Sequence, residues 1–242
     1  MQTSLTSFHI PASRRRLLKS LLLTSGGIFS ADLCAEALTL TPQAGEGPYF
    51  PDHLPLDQDN DLLQILGGQA PAEGVVTEVG GRLLNADGKP VSEAMIELWQ
   101  ADSNGCYLHS RGVQKGKDRD PRFQGYGKIL TNEEGEYRFR TIKPGLYTGR
   151  TIHWHIAVNQ GDKRILTTQL FIAGVSQNDR DGILNRMGTE EQRLSVIREF
   201  LPATKGSEEL AGTWDIVLGA TPGEPRERRK GGPQGSPPGA RP

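Results

Sequence analysis

Cysteine is scarce in this sequence: Cys34 and Cys106 are the only two among 242 residues. Cys34 falls in a leader-like stretch, so a mature chain keeps Cys106 alone and has no internal disulfide to staple it. Long apolar runs are also missing. The longest candidate, Leu21 to Ala31, is short and diluted by Thr24, Ser25, Gly26 and Gly27, well below the ~20 residues that span a bilayer, which argues against a stable membrane anchor. Uninterrupted helix-forming sequence is lacking too, because Gly 30 and Pro 16 punctuate the chain throughout; a helical bundle or coiled coil is excluded. The net charge is only −1, and it is unevenly spread. The first 37 residues carry Arg14, Arg15, Arg16 and Lys19 against Asp32 and Glu36, and the last stretch carries Arg226, Arg228, Arg229, Lys230 and Arg241 against Glu224 and Glu227. Both ends are basic, so the body between them is acidic. Such a body repels phosphate backbones, and no nucleic-acid partner is expected.

Three segments follow from this pattern. Residues 1–37 combine Ser13-Arg14-Arg15-Arg16-Leu17-Leu18-Lys19, the apolar run and Ala35-Glu36-Ala37, the layout of a twin-arginine export signal with cleavage after Ala37. That predicts a periplasmic or secreted location, and the route often carries folded proteins with a cofactor already inserted. Residues 222–242 are Pro, Gly and Arg with Ala240 as their sole aliphatic, too little apolar surface to offset the entropy of ordering, and are expected to be disordered. Residues 38–221 are left as one domain.

Within that domain the recurring unit is a short segment of alternating apolar residues bounded by turn residues. Seven such segments are expected strands: Val75 to Leu84, Met95 to Trp99, Tyr126 to Leu130, Tyr137 to Ile142, Ile152 to Val158, Ile165 to Ile172 and Trp214 to Leu218. Asn85-Ala86-Asp87-Gly88, Asn132-Glu133-Glu134-Gly135 and Lys143-Pro144-Gly145 read as turns between them. The fold class is therefore all-β, a two-sheet β-sandwich with long loops and little helix. Only Asp179 to Phe200 has spacing compatible with a helix, through Ile183, Leu184 and Met187 and then Leu194, Ile197 and Arg198; periodicity does not decide between helix and strand there.

Chemistry concentrates in Thr151-Ile152-His153-Trp154-His155-Ile156-Ala157-Val158. Side chains two apart on a strand share a face, so both imidazoles project together while Ile152, Trp154 and Ile156 take the opposite side. That pair is preformed for a metal. His9, His53 and His109 offer little, the first lying in the leader and the second in a Pro-rich loop. No cysteine partner is available, which argues against a closed zinc site. Tyr147, just ahead of the strand, is either a turn tyrosine at the sandwich edge or, beside a hard trivalent cation, a phenolate ligand.

The run Ile96-Glu97-Leu98-Trp99-Gln100-Ala101-Asp102-Ser103-Asn104-Gly105-Cys106-Tyr107, then Gly135-Glu136-Tyr137-Arg138-Phe139, Pro144-Gly145-Leu146-Tyr147, Arg150, His153-Trp154-His155 and Thr168-Gln169-Leu170-Phe171, resembles the intradiol ring-cleavage dioxygenases of the protocatechuate 3,4-dioxygenase and catechol 1,2-dioxygenase type. Glu46-Gly47-Pro48-Tyr49-Phe50 extends the likeness, which covers about residues 41–185 in order and spacing. The resemblance implies a non-haem Fe(III) ion bound by Tyr107, Tyr147, His153 and His155, with Tyr147 and His153 axial. It implies that Tyr147 can also act as a base, that Arg150 stabilises carbanion character on the ring, and that Gln169 is an amide near substrate and iron. Pro48 and Tyr49, with Arg150, are expected to contact the substrate. In the family the Pro48–Tyr49 segment helps wall the pocket, sometimes across a subunit interface, which leaves a homo-oligomer open. The implied partners are a small catecholic substrate and O2, with both oxygen atoms inserted between the hydroxylated carbons to give cis,cis-muconate-type products. The connection from Tyr147 to His153 is shorter than in the best-known enzymes, and Gly149 stands where the protocatechuate enzymes carry a tryptophan; a more open pocket follows.

Two other readings share the strand pattern. A non-catalytic transthyretin-like β-sandwich binding module predicts no metal and a colourless protein. A copper or zinc sandwich protein needs more histidines near the pair than the chain supplies.

Overall fold

Alternation of apolar and polar residues carries through to the three-dimensional structure strand by strand. The computed structural model describes residues 38–65, 71–147 and 149–219; the expected export signal, its cleavage point at Ala37 and the 222–242 tail lie outside the described residues. In chain order the elements are β1 (Val76–Leu84), β2 (Met95–Trp99), β3 (Tyr126–Leu130), β4 (Glu136–Ile142), β5 (His153–Gln160) and β6 (Lys163–Ile172). Two 3-10 turns follow (Ser176–Arg180 and Leu184–Arg186), then α1 (Glu190–Ser195), β7 (Ile197–Arg198), β8 (Leu201–Pro202), β9 (Leu210–Thr213) and β10 (Ile216–Val217). All seven expected strands are present with small shifts at their ends, the last shortened to Ile216–Val217.

Two mixed sheets result. In one, β1 pairs antiparallel with β4 along one edge and parallel with β9 and β10 along the other, with β8 outside β9. The other runs β3-β2-β5-β6-β7. Between them lies the main core, which takes Val79 and Leu83 from β1, Phe139 from β4, Ile96 and Leu98 from β2, and Trp154, Ile156 and Val158 from β5. The period of two sends the intervening side chains of β5 the other way. There Ala157 joins Trp99, Ala101, Tyr107 and Tyr126 in a second buried cluster, with Tyr49, Phe50, Leu108 and Tyr147 packed against it.

The Asp179 to Phe200 span settles as turns, one short helix and the two-residue strand β7. Leu184 and Met187 are buried in the core from a 3-10 turn, whereas Leu194, at the helical spacing, is 59% exposed and no residue of α1 is buried. Thr189 starts α1 with a reciprocal capping box to Gln192, so the helix depends on its cap more than on an apolar face. Strands β7, β8 and β9 have two to four residues each, too few for alternation to reveal in sequence. Among the described residues no helix is long and apolar enough to cross a membrane.

Candidate metal centre

The centre is assembled on the face of β5 away from the main core. Trp99, His155 and Gln169 are register partners across β2, β5 and β6, so their side chains stand in one row. Trp99 stacks on the His155 ring at 4.9 Å with the planes 14° apart. His153, two residues earlier, points the same way, and both histidines are buried. The His153 Nδ1–H donates to the Thr151 carbonyl at 2.7 Å, which fixes the tautomer and leaves the Nε2 lone pair facing the His155 Nε2 at 3.1 Å.

The tyrosines arrive from two loops locked together by backbone. Asp102, fully buried, accepts from the Asn104 and Cys106 N–H groups with Oδ1 and from Asp120 N–H with Oδ2. That turns the chain back so that Tyr107 bridges Ala101. Gly105, at φ +83°, lies so close to the 144–147 loop that a Cβ would sit 2.3 Å from the Leu146 carbonyl oxygen, so the left-handed conformation and the approach both demand glycine. Gly145 N–H then donates to the Asp102 carbonyl at 2.9 Å. The Tyr107 and Tyr147 rings meet edge to face at 5.4 Å, and their hydroxyls are hydrogen bonded. Tyr107 Oη lies 3.3 Å from His153 Nε2 and 3.2 Å from His155 Nε2.

Arg150 closes one side. Its Nη1 donates to Tyr147 Oη and lies equally near His153 Nε2, both at 3.3 Å, and its Nη2 donates to Gln169 Oε1 at 2.6 Å. Gln169 is fully buried, with its other amide atom 3.5 Å from His155 Nδ1. On the opposite side Tyr49 stacks on Tyr107 at 5.3 Å and meets Tyr147 edge-on at 6.0 Å. A Cβ on Gly47 would lie 3.2 Å from His155 Cε1, so the leading segment passes close to that imidazole. Pro48 is exposed beside it. Arg164 secures that segment by pairing with Glu46 and Glu97 and lying over the Phe50 ring. Tyr107, Tyr147, Arg150, His153, His155 and Gln169 thus lie in one cluster, with Tyr49 packed against its tyrosines.

The electrostatics suit a cation. Burial, reinforced by the Arg150 charge, pushes His153 down to about 3, and burial with the neighbouring His153 pushes His155 well below its ordinary value, so both imidazoles are neutral at pH 7. The phenols move the other way. Burial and the adjacent Tyr147 raise Tyr107 well above 10, and burial raises Tyr147 against the opposing pull of Arg150. Among the described residues no group of three or more His, Cys, Asp and Glu side chains converges to hold a metal ion. A cation at this cluster must therefore draw on phenol oxygens beside the two neutral imidazoles, and a highly charged ion supplies the field that ionises them.

Comparison with known proteins bears on the identity. A family model described as Dioxygenase matches residues 45–220. The protocatechuate 3,4-dioxygenase beta chain of Burkholderia cepacia is 34% identical over 183 residues, covering 72% of this chain and 76% of that one. This chain belongs to the intradiol dioxygenase family. Within that family, the hydroxyquinol 1,2-dioxygenase of Nocardioides simplex is 31% identical, with 71% of this chain and 62% of that protein aligned. A solved dioxygenase domain from a dioxygenase–carbohydrate-binding fusion of Streptomyces sp. SirexAA-E superposes with a TM-score of 0.57 at 28% identity, covering 75% of this chain and 99% of that one. Membership favours the dioxygenase reading over a non-catalytic sandwich module.

One participant in the cluster of this intradiol dioxygenase family member was not legible in the sequence. Asp181, from the turn after β6, accepts from Arg150 Nε at 2.8 Å with its side chain wholly buried. Nothing in Arg180-Asp181-Gly182 distinguishes it from a surface carboxylate. Gly149, at φ +81°, is exposed and has nothing within 4 Å of a built Cβ.

Proposed function

We propose that this chain is a non-haem Fe(III)-dependent intradiol dioxygenase. It cleaves catecholic rings, protocatechuate- or catechol-like, between the two hydroxylated carbons and inserts both atoms of O2 to give cis,cis-muconate-type products. The observation that carries the reading is the convergence of two phenol oxygens and two neutral imidazole nitrogens, with Tyr107 Oη, His153 Nε2 and His155 Nε2 at mutual distances of 3.1 to 3.3 Å. Tyr107, Tyr147, His153 and His155 would hold the ion. When bound, the ferric ion supplies Lewis-acid activation of the catecholate toward O2.

The chain's own groups supply the rest. Tyr147 is only half-buried, and its hydroxyl faces the Arg150 guanidinium, so once ionised as a metal ligand it would be the phenolate best placed to take a proton from an incoming catechol hydroxyl. Arg150 cannot lose its charge and stabilises negative charge that develops on the ring beside Tyr147. Gln169 holds the second Arg150 nitrogen, and the Tyr49 ring provides an aromatic wall for the substrate. The open space at Gly149 and the short Tyr147–His153 connection support tolerance of bulkier catechols. The Arg14–Lys19 cluster and the apolar run after it support export to the periplasm or beyond.

Visible spectroscopy tests the ligand set. Iron-loaded protein is expected to be red-brown from phenolate-to-iron charge transfer, the band shifting when a catechol is added without oxygen. Tyr107→Phe and Tyr147→Phe should each abolish or alter it. A colourless iron-loaded protein, or the full wild-type band in both variants, would contradict the assignment.

A further inference from the structure

We infer that Asp181 is a positioning residue: its buried carboxylate fixes the Arg150 guanidinium by the Nε edge, leaving both Nη groups aimed at the Tyr147, His153 and Gln169 side of the site. The inference rests on the reading of the site as a ring-cleaving centre. Asp181 has no freedom of its own. Oδ2 accepts from Arg150 Nε at 2.8 Å and Thr151 N–H at 2.9 Å, and Oδ1 accepts from Ile183 and Leu184 N–H groups, both at 3.0 Å. The surrounding turn is itself tied down, because Thr151 Oγ1 donates to Asn178 Oδ1 at 2.7 Å and Asn178 Nδ2 donates to the Ile172 carbonyl at 2.8 Å. The anchor is therefore continuous with the end of β6.

An arginine side chain has several rotatable bonds, and its planar fork is useful only when its orientation is set. Gln169 holds one Nη and leaves rotation about that contact; the second fixed point at Nε removes it. A buried ion pair is no more stabilising than well-packed apolar residues of similar volume, so stability alone does not explain a charged pair here. The carboxylate also offsets the Arg150 charge close to a donor set meant for a cation. Arg150 touches the reacting region; Asp181 acts through it.

The test is a double-mutant cycle on the iron-loaded protein with catechol as substrate. Asp181→Asn is expected to lower kcat by about 10- to 100-fold with KM changed by less than about threefold, the scale of misplacing a group by about 1 Å. In an Arg150→Ala background the same change should alter kcat by less than about threefold, since the residue it positions is gone. A second readout needs no turnover. In the metal-free protein the Arg150 Nε–H NMR signal should exchange with solvent about 10-fold or more faster in Asp181→Asn than in wild type, because the charge is lost and the one remaining amide oxygen cannot serve both the Arg150–Thr151 pair and the Ile183–Leu184 pair of donors.

Wild-type protein that cleaves no ring overturns the reading of the site. An active wild type with Asp181→Asn at wild-type kcat, or an equal loss in both backgrounds, overturns the positioning role alone. Should Asp181→Asn fail to fold, Asp181→Glu keeps the charge but moves it by one methylene. It is expected to fold and to lose about 10-fold or more in kcat. A folded Asp181→Glu with wild-type kcat, or failure of both variants to fold, overturns the proposal.

Discussion

Replacing Arg150 by Met keeps a stem of similar length and deletes the guanidinium, which separates the stability role of this side chain from its chemical one. The Arg150 side chain is 11% exposed and that of Asp181 0%, so the variant strands a buried carboxylate. Breaking a buried pair by removing one partner typically costs about 3–5 kcal/mol. The lower end applies here, because Thr151, Ile183 and Leu184 N–H groups still reach the carboxylate. The pH dependence has a definite sign. Burial alone would raise the Asp181 carboxyl, but the Arg150 hydrogen bond and the Leu184 and Thr151 N–H groups outweigh it and hold the carboxyl below its ordinary value. Its contribution to wild-type stability is therefore present above about pH 4 and is lost as pH falls through the folded value. In Arg150→Met the carboxyl moves up, so the stability gap between the proteins should be largest near pH 7 and shrink below about pH 4. Urea unfolding across that range measures the gap, and oxygen uptake with catechol measures turnover, for which a loss of about 10²- to 10³-fold in kcat is expected. A variant as stable as wild type at pH 7, or a gap that does not change with pH, would refute the reasoning about the buried pair.

Gly47→Ala places a Cβ 3.2 Å from His155 Cε1 at a φ of +81°, so it should cost about 1–2 kcal/mol of stability and weaken iron retention against a chelator; unchanged retention would show that the segment gives way without moving the imidazole. Metal-free protein should lose stability to urea as pH drops below about 6.5, by up to about 1.4 kcal/mol per pH unit for each histidine that must charge on unfolding. The sign follows from the lowered values of His153 and His155, and His153→Gln with His155→Gln should flatten the slope. Arg164→Met frees the Glu46 and Glu97 carboxylates from a side chain that is 30% exposed. The stability cost should stay below about 1 kcal/mol, while KM for catechol rises more than kcat falls as the Tyr49 wall loosens; an unchanged KM would separate that segment from substrate binding.

The parts of this molecule legible in sequence are those governed by short periods. Ile152 to Val158 alternates cleanly, and that pattern alone put His153 and His155 on one face with Trp154 and Ile156 on the other, as the two buried clusters show. The turn residues at Asn85 to Gly88 and Asn132 to Gly135 bounded the strands for the same local reason. The Asp179 to Phe200 span was ambiguous because Ile183, Leu184 and Met187 recur at helical intervals in any tight turn that dips into a core. Asp181 was invisible for a different reason: its role comes from burial and from a partner 31 residues away, neither of which leaves a mark on neighbouring residues. Gly47 stood inside a recognisable motif, yet that a Cβ there would press on His155 emerges only from the packing.

Product analysis under labelled oxygen tests the central claim most directly. Iron-loaded protein is mixed with catechol without oxygen, ¹⁸O₂ is admitted, and the product is identified by mass. The account predicts a ring-opened cis,cis-muconate-type dicarboxylate that carries label from both atoms of one O₂, with each oxygen on a carbon that bore a hydroxyl. A product with an intact ring, a ring opened beside rather than between the hydroxylated carbons, or no consumption of oxygen would contradict it.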